Sequence, residues 1–154
     1  MSEGDDFDPK RVLVVDDDGP MLRTHGRVLE AHGLRPVLMA DPGEALEEAK
    51  QRTPAVVVLD LVMPGLSGLE YVTRLRTHYQ RECPPVILVS ANHAHLSPME
   101  QLLFDAIFPK PYAIDRLIQC VRRFAREHYE HRMAPSEVLT KHGAQLTRND
   151  ENEA

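Results

Sequence analysis

Along the chain, short apolar runs alternate with longer stretches whose apolar positions recur at helical spacing. Three runs are continuous and mostly β-branched: Val12-Leu13-Val14-Val15, Ala55-Val56-Val57-Val58-Leu59 and Val86-Ile87-Leu88-Val89. A strand with one wet face alternates apolar and polar residues. An unbroken run therefore implies cover on both faces, as at the centre of a parallel sheet. Two weaker strands are predicted at Pro36-Val37-Leu38-Met39 and Ala106-Ile107-Phe108. Helices with recognisable ends lie between the strands. Met21 to His32 stops at Gly33, a natural residue just past a helix C-terminus. Asp41 caps a helix that begins at Pro42 and runs to about Arg52. Ser67-Gly68-Leu69-Glu70 reads as a capping box, and Ser97 with Pro98 and Glu100 starts a short fourth helix. A fifth helix is predicted from about Ala113 to about Tyr129, with Ile114, Leu117, Ile118, Val121, Phe124 and Ala125 on one face.

Strand then helix, five times over, predicts an α/β domain with a parallel sheet, right-handed crossovers and helices on both faces. In that architecture functional groups gather at the carboxyl ends of the strands. The expected organisation is an acidic N-terminal tail (1–8), one domain (9–129) and a C-terminal tail (130–154). Within the last segment Ser136 to His142 has the makings of a turn or two of helix. From Asn149 onward the segment is expected to be disordered.

Composition adds constraints. Of 154 residues 42% are hydrophobic but only 5% aromatic, so the core must be built from Val, Leu, Ile and Ala. The formal charge of −6 resides wholly in the ends: −4 in residues 1–8 and −2 in residues 145–154. A neutral body between acidic ends is a poor electrostatic match for duplex DNA or an anionic membrane. Cys83 and Cys120 lack zinc-type spacing and are expected as unpaired thiols in a reducing compartment. There is no signal-peptide pattern and no apolar run of transmembrane length, so a cytoplasmic location is expected.

The predicted strand ends carry the chemistry. Strand one ends in Asp16-Asp17-Asp18, strand three in Asp60 and strand four in Ser90; Lys110 follows strand five. Clustered carboxylates repel and raise one another's pKa, unless a divalent cation sits among them. Hard oxygen donors with positions left for water suit Mg2+. A cation beside one carboxylate favours transfer of a phosphoryl group onto that oxygen, with a lysine and a hydroxyl clamping the other phosphoryl oxygens.

Four segments in this order resemble the receiver domain of two-component response regulators over roughly residues 9–128. They are Val14-Val15-Asp16-Asp17-Asp18, Asp60 through Gly68, Val89-Ser90-Ala91 and Pro109-Lys110-Pro111. The resemblance implies a flavodoxin-like, doubly wound five-stranded sheet of order 2-1-3-4-5. It implies that Asp60 is the phosphoacceptor. Mg2+ (or Mn2+) would be held by Asp17 directly, by Asp16 mostly through water, by Asp60 and by the backbone carbonyl of Val62. Ser90 would follow the phosphoryl group and Lys110 would pair with it. It further implies a histidine kinase or histidine phosphotransfer protein as donor, an unidentified downstream protein, and no direct contact with nucleic acid or membrane. Pairing of copies through helix four, strand five and helix five is a further possibility. The module is expected to signal by partner binding or phosphate relay without an attached output domain, and to turn over no external substrate.

Two features depart from the family pattern. The aromatic residue usually found three positions before the lysine is replaced by Ile107, which puts the usual rotamer switch in doubt. Ser90 and Lys110 are also only 20 positions apart, with Leu103-Phe104-Asp105-Ala106 where a Gly-Ala pair is usual. Two other functions remain open at this point. A phosphohydrolase of the haloacid dehalogenase type would use the D-x-D within Asp16-Asp17-Asp18, but it lacks the later acidic pair. An interaction module could keep the fold and lose the switch. Asp18 reads as a helix cap, His93 and His95 as surface loop histidines, and His128 and His131 as partners of a helix dipole. Arg116, Arg122, Arg123 and Arg126 form a basic outer face on helix five, either solvated or docking an acidic partner.

Overall fold

The structure, a computed structural model, describes residues 7–91 and 93–134. Five strands, β1 (Arg11–Val15), β2 (Arg35–Met39), β3 (Val56–Asp60), β4 (Val86–Ser90) and β5 (Ala106–Pro109), form one sheet. All neighbours pair in parallel, in the order β2-β1-β3-β4-β5. This is the expected doubly wound topology. The β-branched runs sit where both faces are covered: every residue of β1 and β4 is buried. The edge strand β2 is partly exposed and contains Pro36, which a central strand would exclude.

The pleat divides the core into two layers. Leu13, Val15, Val57, Leu59, Val86 and Leu88 face α2 (Pro42–Gln51) and α3 (Gly68–Tyr79). Val12, Val14, Val56, Val58, Ile87 and Val89 face α1 (Gly19–Ala31) and α5 (Ile114–Met133). A short α4 (Pro98–Gln101) follows a 3-10 turn at His93–His95. Helix starts follow their caps. Asp18 accepts from Met21 N at 3.1 Å and Asp41 from Gly43 N at 2.8 Å. Both Ser67-Glu70 and Ser97-Glu100 close complete capping boxes. Gly33, at φ 80°, ends α1 as expected.

Two boundaries differ from expectation. Phe7 and Asp8, assigned to the acidic tail, pack on the domain. Asp8 receives both Nε and a terminal nitrogen of Arg35, at 2.6 and 2.7 Å, and that guanidinium holds its carboxyl below the usual range. The Phe7 ring lies edge-on to His128 at 4.9 Å, with the Arg132 guanidinium 4.4 Å from its centroid. These contacts, with His131 at 3.4 Å from Glu82, give the end of α5 partners that continue it past Tyr129 to Met133. His128 is accordingly not a dipole partner. It is buried, and its Nδ1 meets the Ala55 carbonyl at 2.9 Å. The Ser136 to His142 turn lies outside the described residues. Among those described, no helix is long and apolar enough to cross a membrane.

Gly68 is required by close approach. A Cβ there would stand 2.4 Å from the Asp60 carbonyl oxygen and 2.8 Å from Leu61 Cα, both backbone atoms. Gly68→Ala should therefore lower stability by at least about 2 kcal/mol. Gly65→Ala, at φ 88° in open space, should cost only about 1 kcal/mol in urea unfolding.

Burial pushes the His25 and His128 imidazoles below their ordinary pKa. Lys110 adds to the effect at His25. At His128, Arg132 and His131 add to it while the Ala55 carbonyl opposes it. The unfolded chain thus binds more protons on acidification. Stability from the neutral rings is complete above about pH 6.5 and is lost as pH falls through the lower folded values. The urea midpoint should drop between about pH 7.5 and about pH 5.5, and His128→Gln should flatten that slope.

Candidate functional site

Register assembles the site. Val15 pairs with Leu59, so Asp16, the next residue along, lies beside Asp60 at the end of β3. Asp60 pairs with Val89, which puts Ser90 one step beyond, and Ser90 pairs with Pro109, which puts Lys110 one step beyond again. Four strand ends thereby deliver their functional groups to one rim.

Asp16, Asp17 and Asp60 each offer a carboxylate oxygen, and these oxygens all lie within 4.8 Å of one another. Asp16 is buried, Asp60 half-buried and Asp17 exposed. Burial is the largest cause raising the Asp16 pKa. The Asp18 backbone N–H, donating to Asp16 Oδ1 at 3.0 Å, opposes it, and the charges of Asp60 and Asp17 raise it further. Lys110 Nζ stands 3.9 Å from Asp60 Oδ2, while Asp60 Oδ1 accepts from Leu61 N at 2.7 Å. One lysine against three carboxylates leaves the rim short of positive charge. The donor atoms are all hard oxygens, and the exposed side at Asp17 leaves positions for water, so the set fits Mg2+ or Mn2+. Among the described residues this is the group able to hold a metal; His93 and His95 form no part of it.

Ser90 is buried at the end of β4, and its carbonyl accepts from Lys110 N at 3.1 Å. The Val62 side chain is exposed two positions beyond Asp60. Ile107 packs in the α2/α3 layer, whereas Phe108 packs in the α1/α5 layer. Phe108 therefore faces away from the position of Ile107 and does not replace the missing aromatic. Asp18 is the cap of α1, as read from the sequence.

Two residues at this rim were not anticipated. Tyr112 follows Lys110 by two positions. Its hydroxyl is pushed up to about 12, first by burial and then by the charges of Asp16 and Asp60. His25 of α1 hydrogen-bonds that hydroxyl through Nε2. The place of Tyr112 beside the lysine was a signal open to sequence reading. His25, 87 positions away, carried none.

Comparison with known proteins points the same way. A family model for the response regulator receiver domain matches residues 12–122. The DNA-binding transcriptional regulator NtrC of Escherichia coli K12 is 33% identical over 130 residues, which are 82% of this chain but only 27% of NtrC. The receiver domain of Francisella response regulator 1452 superposes with a TM-score of 0.70 at 31% identity, over 77% of this chain and 98% of that one. Response regulator TrrA of Thermotoga maritima, solved in complex with Mg2+ and BeF, gives 0.68 at 28% identity over 75% and 98%. With its parallel sheet, its acidic rim and a family match across most of its length, the chain belongs to the response regulator receiver domain family.

Proposed function

We propose that this chain is a phosphoacceptor whose Asp60 takes a phosphoryl group from a phosphohistidine donor, a sensor histidine kinase or a histidine phosphotransfer protein. The observation that carries this is the meeting of three carboxylate oxygens within 4.8 Å, with Lys110 Nζ 3.9 Å from Asp60 Oδ2. Asp16, Asp17, Asp60 and the Val62 carbonyl would hold Mg2+ or Mn2+. When bound, the cation offsets the negative charge of the phosphoryl oxygens. An Asp60 oxygen attacks phosphorus as the P–N bond to the donor imidazole breaks, and the imidazole leaves with the electron pair. Lys110 takes one phosphoryl oxygen and Ser90 another. Hydrolysis of the acyl phosphate later returns the Asp60 carboxylate and inorganic phosphate.

The phosphoryl group brings about two negative charges to this rim. Movement of Ser90 toward it shifts the segment after β4. That segment leads to α4, in which Met99 is 77% exposed, and to Leu102 just after it, 78% exposed. With Ile107 in place of an aromatic, output runs through this short helix rather than through a ring flipping on β5. The exposed apolar pair and the arginines of α5 form the surface read by a downstream protein or a second copy.

Incubation with a small acyl phosphate and Mg2+ should add the mass of one phosphoryl group to the intact protein. Asp60→Ala, or removal of Mg2+ with a chelator, should leave the mass unchanged; an adduct that persists in Asp60→Ala overturns the assignment. Asp17→Asn should raise the Mg2+ needed for half-maximal phosphorylation by at least about tenfold. Lys110→Ala should slow adduct formation by about 100-fold with little change in thermal stability.

A further inference from the structure

We infer that His25 and Tyr112 form a positioning pair for Lys110, tying the turn that carries the lysine to the helix that carries the acidic residues. The inference rests on the phosphoacceptor role proposed for Asp60. Lys110 lies between Pro109 and Pro111, neither of which has a backbone N–H to donate. The backbone of this turn is held at Lys110 itself, by its N–H to the Ser90 carbonyl at 3.1 Å. The next anchor along the chain is Tyr112. Its ring meets Phe108 of β5 edge to face, with centroids 6.1 Å apart and planes at 72°. Phe108 and Tyr112 thus bracket Lys110 from both sides.

On its other side Tyr112 reaches α1. Its hydroxyl hydrogen-bonds His25 Nε2, and the two rings lie nearly parallel at 15° with centroids 6.2 Å apart. Both residues line an apolar groove of about 550 Å³, together with Met21, Val28, Lys110 and Ile114. His25 is 4% exposed, and its Nδ1 has no hydrogen-bond partner among the described residues. The Tyr112 hydroxyl is therefore what its ring recognises. A histidine buried with one nitrogen orphaned is a poor choice for core packing alone, where an aliphatic residue would cost nothing in lost hydrogen bonds.

The same helix starts at Asp18, whose backbone N–H holds Asp16 Oδ1. One end of α1 thereby orients an acidic residue and its second turn orients the lysine turn. Lysine has a long flexible stem, and at 3.9 Å its amino group stands just beyond hydrogen-bond reach of Asp60. Small shifts of its backbone decide whether it meets the phosphoryl oxygens, and misplacement of that order is costly in rate.

The test is a set of phosphorylation rates with a small acyl phosphate and Mg2+, read by intact mass. Tyr112→Phe keeps the ring and removes the hydroxyl; His25→Leu removes the imidazole partner and fits a buried site. Each should slow adduct formation by about fivefold, and the double variant by no more than either alone, as for two halves of one hydrogen bond. His25→Gln, which can still bond Tyr112, should recover most of the rate. In a Lys110→Ala background the same substitutions should have no further effect, a result that a merely structural role would not produce. Rates within about twofold of the parent, or a fivefold loss that persists without Lys110, overturn the inference. If the parent protein itself takes no phosphoryl group, the phosphoacceptor reading fails first and this inference falls with it.

Discussion

Hydrogen-bond register between β1 and β3 sets Val15 against Leu59, and everything at the rim follows from that pairing. A slip of one residue would carry the β3 side chains to the opposite layer and turn Asp60 away from Asp16. The register is held by burial on both faces. The alternating layers of β1 and β3 interlock with different helices, so neither strand can slide without exposing one apolar set and burying a carboxylate. Gly68 adds a local constraint: α3 begins so close to the Asp60–Leu61 backbone that no side chain fits between them.

The fold thereby forces together groups that repel. Asp16 is the clearest case, because burial and two neighbouring carboxylates all disfavour its charge. Such a rim is a reservoir of electrostatic strain, relieved in part by Lys110 and by the Asp18 and Leu61 backbone N–H groups. The arrangement favours any process that brings a cation, since positive charge gains from all three carboxylates at once. Phosphoryl chemistry on a carboxylate needs that kind of surplus. The D-x-D alternative accounts for Asp16 to Asp18 but leaves Asp60 and its loop without a purpose. In the structure Asp60 is one of the three clustered carboxylates, whereas Asp18 is spent on capping α1.

Much of this was legible in the sequence, because the signals were local. Unbroken β-branched runs marked doubly covered strands, and Asp41, Ser67 and Ser97 announced helix starts through bonds to residues two or three positions away. Asp16, Asp60, Ser90 and Lys110 were found because each ends or follows a strand. The features that escaped depend on partners distant in the chain. Phe7 sat in a run of acidic residues, and composition hid a ring that packs against α5. His128 looked like a residue near a helix end; only the carbonyl of Ala55, 73 positions earlier, makes it part of the core. His25 lies on the buried side of an amphipathic helix, where a polar residue shows no periodic signal of what it meets.

The packing of Phe7 against His128 and Arg132 ties the start of the described chain to the last turns of α5. His128, at the centre of this contact, bonds the Ala55 carbonyl just before β3, a full strand away from Asp60. Five residues of strand span about 17 Å. A substitution that loosens this contact therefore acts about one strand length from the acidic mouth and leaves its geometry undisturbed.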